Sequence, residues 1–402
     1  MSVSPATPTG APLAGLRGVV VNWRDPWHSL AGGSERYAWE LARALVEAGI
    51  RVELLTAREP GQQRTDRREG IEVRRAGGPF TFYAHAALAL LRRRRGLDVV
   101  LDPECGIPAF SPLFVRRDTA VVLVLHHVHQ EQFRTYFPPP LAWLGRTLER
   151  VVMPRVYRRR ATVAVSESTR TEMREQLGWT GPVGILGNGA EVPDEPDGLV
   201  TDKDPDRLVV LGRLVPHKRV DLVLHTVHAL AAERPGLRLD VCGQGPDRPR
   251  LEALAHDLGL ADRVCFHGFL PEADKRALLR RAVLHVCASD VEGWGQAVID
   301  AAGYGVPTVA RDVPGLRDSV RAGSTGWLVP DSDDLDVVRD RITAQVRAAL
   351  DDLAEPETLA LSVKACHTWA STFSWPQMRD QARALVAEEL GRVRAGHTHM
   401  ER

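Results

Sequence analysis

Gly18-Val19-Val20-Val21-Asn22-Trp23, the amphipathic run Ser34–Ala48 and Arg51-Val52-Glu53-Leu54-Leu55-Thr56 decide the fold class of this chain. Two short apolar runs rich in β-branched residues bracket one longer helical pattern, which reads as a β-α-β unit with parallel strands. Further candidate strands follow at Asp98–Leu101, Ala120–Leu125, Ala161–Ser166 and Val183–Leu186, with a long amphipathic stretch at Leu141–Arg159. Strands interleaved with helices call for a parallel sheet covered on both faces.

Residues 191–206 break the pattern. From Ala190 to Asp206 the chain has three prolines, five aspartates and two glutamates, a composition that cannot bury a core and reads as a linker of solvent-exposed charge. A second alternation follows at once. Its candidate strands are Leu208–Gly212, Leu237–Cys242, Val264–His267, Val283–Cys287 and Pro307–Ala310. Helical stretches separate them near Val220–Glu233, Arg248–Leu258, Lys275–Arg281 and Gln296–Tyr304. The expected plan is a tail over 1–16, a Rossmann-like domain over 17–190, the linker over 191–206, a second Rossmann-like domain over 207–372, and a helix and tail over 373–402. Two such doubly wound α/β domains would present their strand C-terminal ends to a deep interdomain cleft, where ligands bind in open sheets. The C-terminal helix is free to cross back to the first domain.

Length and charge agree with two domains. The 402 residues exceed one ordinary core and fit two of roughly 150 to 200 residues each. Basic and acidic residues cancel at 52 each, but residues 1–190 hold 26 Arg and no Lys against 18 acids, a surplus of eight. By subtraction the remainder has 26 basic and 34 acidic residues, a deficit of eight. A basic half that meets an anionic surface and two solvated surfaces of opposite sign are both compatible with this asymmetry. Arg92–Arg95, after the apolar Ala86–Leu91, reads either as a patch for anionic lipid headgroups or as a solvated helix end. The five cysteines (Cys105, Cys242, Cys265, Cys287, Cys366) are widely spaced and read as buried thiols of a reducing compartment. With no signal-peptide pattern and no apolar run of about 20 residues, the expectation is a cytoplasmic protein, with peripheral contact at the inner membrane face as the variant reading.

Three segments carry chemistry. First, the strand at Leu208 ends in Gly212-Arg213-Leu214-Val215-Pro216-His217-Lys218, where two cations bracket a turn into a helix. A departing nucleoside diphosphate needs such concentrated positive charge. Second, the strand ending near Cys287 runs into Ser289-Asp290-Val291-Glu292-Gly293-Trp294-Gly295-Gln296 and a helix that contains Asp300. The glycines allow close backbone approach, the helix N-terminus suits an anion, and the two acids can accept hydrogen bonds from different hydroxyls of one ligand. Taken singly, Glu292 could be a capping acid and Asp300 a surface residue. Third, Ala120–Leu125 ends in His126-His127-Val128-His129. Alternation puts His127 on the face opposite His126 and Val128, poor geometry for a three-histidine metal site, so no metal is expected.

These segments resemble the retaining glycosyltransferases of family 4, whose fold is GT-B. Glu292 through Asp300 resembles the family's E-x7-E signature, and Gly212-Arg213-Leu214 with Lys218 resembles its G-R-L-x3-K segment. The resemblance implies that Arg213 and Lys218 bind the donor diphosphate, Glu292 contacts hydroxyls of the transferred sugar and Asp300 holds the ribose. Asp300 stands where the family has glutamate, one methylene longer. Val241-Cys242-Gly243-Gln244-Gly245-Pro246 resembles a family turn, and Val264–Leu270 resembles the segment whose backbone faces the base, which adds Gly243 and Leu270 to the implied donor residues. Gly293, Trp294, Gly295 and Gln296 join them from the loop before the second helix. Ala31-Gly32-Gly33-Ser34-Glu35-Arg36 resembles the loop that closes over the donor phosphate, through Gly32 and Gly33. His126 matches the family's sugar-contacting histidine best, with His127 as the alternative. His127 and His129 are acceptor-side candidates. Asp98–Pro108, with Glu104-Cys105-Gly106-Ile107-Pro108, and Val165–Ser168 extend the likeness, which covers Gly18 to Leu390 almost throughout.

The implied activity is metal-independent transfer of a sugar, with retention, from a nucleotide diphosphate sugar to the hydroxyl of a small metabolite, natural product, lipid or glycan. The nucleotide sugar is a co-substrate, no other cofactor is implied, and no nucleic-acid partner is expected. Two rivals share the fold: a catalytically silent binding protein or partner subunit, and a sugar-nucleotide epimerase or phosphorylase.

Overall fold

The computed structural model describes residues 13–79, 81–104, 106–193 and 203–400. The chain forms two compact units, Met1–Gly187 with Trp375–Arg402, and Asn188–Ser374.

Unit 1 is built on strands β1 (Arg17–Val21), β2 (Arg51–Thr56), β3 (Thr65–Arg68), β4 (Ile71–Arg75), β5 (Val99–Glu104), β6 (Ala120–Leu125), β7 (Ala161–Ala164) and β8 (Gly184–Ile185). They lie in the order β3-β4-β2-β1-β5-β6-β7-β8, parallel except for the antiparallel β3–β4 pair. Every residue of β5 and β6 is buried, as a parallel strand covered on both faces requires. The β3–β4 hairpin turns at Glu69 and Gly70, both with positive φ, as a two-residue hairpin loop demands. Its edge strand Thr-Asp-Arg-Arg is polar throughout and charged at Asp66, Arg67 and Arg68, which protects a sheet edge from further pairing. After β6 comes a short helix at Gln130–Tyr136, and the amphipathic stretch expected over Leu141–Arg159 resolves into helices Pro139–Thr147 and Met153–Tyr157 joined by a π turn at Leu148–Val152. Pro154 lacks the N–H that a regular ladder would use there.

Unit 2 carries β9 (Asp204–Leu211), β10 (Arg238–Cys242), β11 (Val264–Gly268), β12 (Ala282–Cys287), β13 (Thr308–Arg311) and β14 (Gly326–Val329) in the order β11-β10-β9-β12-β13-β14, all parallel. Leu208, Leu239, Val241, Leu284 and Val286 form its core with Val223, Val227 and Leu230 of the Val220–Leu230 helix and Ile342, Val346 and Leu350 of the Leu335–Leu353 helix. Both units are Rossmann-like α/β domains.

Three expectations change. The segment expected as a linker over 191–206 is already sheet from Asp204, which pairs with Ala282. The buried Lys203 Nζ donates to the carbonyls of Leu279, Arg280 and Tyr304 at 3.4, 3.3 and 3.0 Å, so this end of the segment is anchored rather than solvated charge. Residues 194–202 of that linker, residues 1–12 of the expected tail and Cys105 lie outside the described residues. Cys242, Cys287 and Cys366 are buried thiols, but Cys265 is exposed, because β11 is an edge strand.

Candidate functional site

The donor-side residues of unit 2 gather at the C-terminal ends of β9 and β12. After Leu211 the chain turns at Gly212 (φ 136°), drives Leu214 into the core and makes a 3-10 turn over Pro216–Lys218 before the Val220–Leu230 helix. The glycine pair Gly243 and Gly245 makes this turn possible. A Cβ on Gly243 would lie 1.7 Å from the Gly212 carbonyl oxygen and one on Gly245 would lie 2.1 Å from that of Leu214. The two turns instead join by hydrogen bonds, Gly212 N–H to the Cys242 carbonyl at 3.0 Å and Leu214 N–H to the Gln244 carbonyl at 2.9 Å.

Lys218 and Glu292 meet here in a direct ion pair, although 74 residues separate them in the chain. The Ser289 hydroxyl donates to the same carboxylate oxygen at 2.9 Å. Burial works to raise the Glu292 carboxyl, but the Lys218 ammonium and the Ser289 hydroxyl hold it below the usual carboxylate range. His217, beside them, is lowered to about 4, first by burial and then by the Lys218 charge, so it is a neutral imidazole at pH 7. Gly212, Arg213, Lys218 and Ser289 line one crevice, with Arg213 exposed at its rim. Lys218, held by its ion pair, and Arg213 at the rim put two cations beside a partly desolvated hollow, a setting that suits an anion with developing charge.

The Gly293-Trp294-Gly295 loop packs on its surroundings through backbone. Gly315 faces the Glu292 carbonyl so closely that a Cβ would come within 2.2 Å. Gly295 (φ 76°) caps the helix Gln296–Gly303, and Trp294 is buried edge-on against Phe373, with ring centroids 4.9 Å apart. The Gln296 amide fixes the helix start: it donates to the Gly189 carbonyl at 3.0 Å and to Asp300 Oδ1 at 2.9 Å, and accepts from Asn188 at 2.9 Å. Asp300 therefore belongs to a second neighbourhood. Burial raises its carboxyl, against the charge of Lys275 and the Gln296 amide. Burial works to lower Lys275, but the charge of Asp300 and the Glu272 carboxylate, 2.9 Å away, together raise it. Sequence reading placed Lys275 only on a helix; its rarity as one of four lysines was the available signal. Leu270 packs against the Val209, Cys242 and Tyr304 cluster.

In unit 1, Gly32 and Gly33 open the helix Gly33–Glu47. Glu35 organises the loop: its carboxylate accepts from the Gly32 N–H at 2.7 Å, the Ser34 hydroxyl at 3.0 Å and Arg24 Nε at 2.9 Å. Next to it, His126 is 9% exposed and sits edge-on against Tyr37 at 5.0 Å. Burial lowers its imidazole to about 4, and its Nε2 is buried without a hydrogen bond. His127 and His129 stack with ring centroids 3.8 Å apart. His129 faces two fully buried acids, Glu104 at 3.2 Å and Glu149 at 3.4 Å, which the sequence reading did not connect to it. Burial alone would lower this imidazole, but the two carboxylates, Glu104 first, raise it to about 10.

Two clusters among the described residues bring three metal-capable donors within 4.8 Å of one another: Glu104, His129 and Glu149, and Asp240, Cys265 and His267. Each is organised by its own polar contacts. The first holds the His129 pairs, and in the second Asp240 accepts from Arg207 Nε at 2.6 Å and lies 2.6 Å from His267 Nε2. Neither includes Lys218 or Glu292.

Residues 31–192 match the family described as Glycosyltransferase Family 4, and residues 192–350 match the family described as Glycosyl transferases group 1. A phosphatidylinositol N-acetylglucosaminyltransferase gpi3 subunit from Schizosaccharomyces pombe is 27% identical over 44% of this chain and 38% of its own length. A D-inositol 3-phosphate glycosyltransferase from Gordonia bronchialis is 26% identical over 87% of this chain and 82% of its own. The chain spans less than half the length of the first curated relatives it matches. Among solved structures, a sucrose-phosphate synthase from Thermosynechococcus elongatus superimposes with a TM-score of 0.71 at 17% identity, over 91% of this chain and 97% of that one.

Proposed function

We infer that this chain, which belongs to the GT-B glycosyltransferases of the group 1, family 4 type, moves a sugar from a nucleotide diphosphate sugar to an acceptor hydroxyl. The observation that carries this reading is the crevice at the strand ends of unit 2, lined by Arg213, Lys218 and Ser289, with Glu292 bound to both Lys218 and Ser289. In the reading, Arg213 and Lys218 bind the diphosphate and stabilise it as it leaves, Glu292 accepts from sugar hydroxyls, and Asp300 accepts from the ribose. Gly243, Leu270 and the Gly293–Gln296 loop complete the nucleotide site. Gly32, Gly33 and His126 serve the phosphate and the sugar from unit 1, and His127 and His129 the acceptor.

The reaction proceeds with retention by front-face substitution. The bond from the anomeric carbon to the phosphate oxygen breaks, the bond to the acceptor oxygen forms on the same face, and the departing phosphate takes the acceptor proton. Fixed cations do at the diphosphate what a metal ion does elsewhere. Among acceptors, inositol-bearing hydroxyls are the first to test, because two relatives are described by transfer to phosphatidylinositol and to D-inositol 3-phosphate. Free thiols at Cys242, Cys265, Cys287 and Cys366 suit a reducing, cytoplasmic compartment. No helix among the described residues is long and apolar enough to cross a membrane.

A thermal-shift screen against UDP, GDP, ADP and dTDP identifies the base, since a ligand of the native state raises its melting point. With the donor in hand, Arg213→Ala and Lys218→Ala are each expected to lower turnover at least about tenfold. Unchanged rates would remove the two cations from the reaction.

A further inference from the structure

Within unit 1, the stretch from Arg134 to Arg159 turns an apolar face to solvent. Tyr136, Phe137, Leu141, Trp143 and Leu144 are 47, 40, 45, 68 and 45% exposed. They span the end of the Gln130–Tyr136 helix, the run Pro138-Pro139-Pro140 and the first turns of the Pro139–Thr147 helix. Loose packing does not explain them. The opposite side of the continuous helix is covered, with Ala142, Gly145, Glu149, Met153 and Tyr157 buried at helical spacing. Gly145 lets it dock closely on Phe133, whose ring a Cβ at this position would meet at 2.6 Å.

The exposed charges on this stretch are of one sign, and Arg134 at its start is paired with Glu131 at 3.1 Å. Past the apolar patch the chain exposes Val151 with Arg150, Arg155, Arg158 and Arg159. The one acid between Arg134 and Arg159, Glu149, is buried beneath, accepting from the His129 N–H and the Gln130 amide at 2.6 Å each. Exposed Trp and Leu beside arginines, with no exposed acid among them, is the composition of a helix that lies in the interface of an anionic bilayer. The run Arg92–Arg95 is a weaker counterpart: Arg93 is spent on Glu53 at 3.0 Å, and its exposed apolar neighbours are Leu88 and Leu91 alone.

We propose that the Arg134–Arg159 face docks this protein peripherally on an anionic membrane surface. Trp143 and Leu144 enter the headgroup region, and Arg150, Arg155, Arg158 and Arg159 meet the lipid phosphates. The surface is independent of the transferase reading.

The test is co-sedimentation of the full chain with vesicles of phosphatidylcholine alone or mixed with phosphatidylglycerol. Binding is expected to the mixed vesicles and to weaken as salt is raised. Trp143→Ser with Leu144→Ser, and separately Arg150→Glu with Arg155→Glu, should each weaken it at least about tenfold, with melting temperatures unchanged because these side chains are exposed. Arg92→Glu with Arg94→Glu should bind as the parent does. No binding to the anionic vesicles, equal binding to both vesicle types, loss only in the Arg92 and Arg94 variant, or variants of the proposed face that bind normally would each overturn the proposal. So would light scattering that shows a dimer which Trp143→Ser with Leu144→Ser converts to monomer, since the face would then bury a second copy of the chain.

Discussion

Glu292 is held ionised by one ammonium and one hydroxyl, and this sets its pH behaviour. A carboxyl whose folded-state pKa is depressed contributes stability that is present above its unfolded value and lost as pH falls through the folded value. The Lys218–Glu292 pair should therefore persist below the ordinary Glu pKa of about 4.3. His285 behaves in the opposite sense. It is fully buried in β12, 3.1 Å from the Thr308 hydroxyl, and burial lowers it to about 3. Between about 6.5 and that value the unfolded chain binds a proton that the native state refuses, so stability falls as pH drops, by up to about 1.4 kcal/mol per pH unit. His285→Gln should flatten this slope in urea titrations run across pH 4 to 6, in the window that the about-3 and about-6.5 values define. An unaltered slope would show that His285 is not the group that takes up the proton on unfolding. At Asp300, Asn keeps an acceptor for the Gln296 amide but removes the charge offered to a ribose. Asp300→Asn should weaken the binding of whichever nucleoside diphosphate emerges from the screen by about tenfold, read by calorimetry. Equal affinity would exclude Asp300 from the nucleotide site.

At the scale of elements, two glycines make opposite demands. Gly315 has φ 80° and sits where a Cβ would strike the Glu292 carbonyl, so alanine must displace the loop that carries Glu292. Gly315→Ala should cost at least about 1 kcal/mol in urea denaturation and lower turnover with it. Gly391 lies inside the Trp375–Met400 helix with nothing within 4 Å of its Cβ position. Gly391→Ala should stabilise by about 0.5–1 kcal/mol, because the unfolded chain loses freedom and nothing is displaced. A loss of stability there would mean that the helix surface is covered. Elements also differed in how far the sequence revealed them. Strands β2 and β6 run over the residues their apolar runs predict, Arg51–Thr56 and Ala120–Leu125. β3 was invisible, since Thr65–Arg68 has no apolar residue and exists only because β4 offers it an edge. β9 began four residues before its apolar run, because backbone pairing with β12 does not depend on the side chains of Asp204 and Pro205.

At the scale of the whole molecule, unit 1 is discontinuous in sequence, and its second segment is structural. Trp375, Met378, Ala382, Val386 and Leu390 are buried at helical spacing, and Arg379 pairs with the buried Glu40 at 2.6 Å. Each large apolar side chain is worth roughly 1.5–3 kcal/mol, so their sum approaches the total stability of a domain, about 5–15 kcal/mol. A chain ending at Ser374 should leave unit 1 unfolded or protease-sensitive, seen as early cleavage before residue 187. Normal resistance and melting would show that the helix is dispensable. The sequence by itself determined the alternation of strands and helices, the two α/β domains and the residue types able to hold an anion, because periodicity and side-chain chemistry are local properties. Only the tertiary structure decided which of these groups meet. Lys218 was brought to Glu292, Asn188 to Gln296, and Glu104 and Glu149 to His129, because the order of strands in a sheet, not distance along the chain, chooses the neighbours of a polar group.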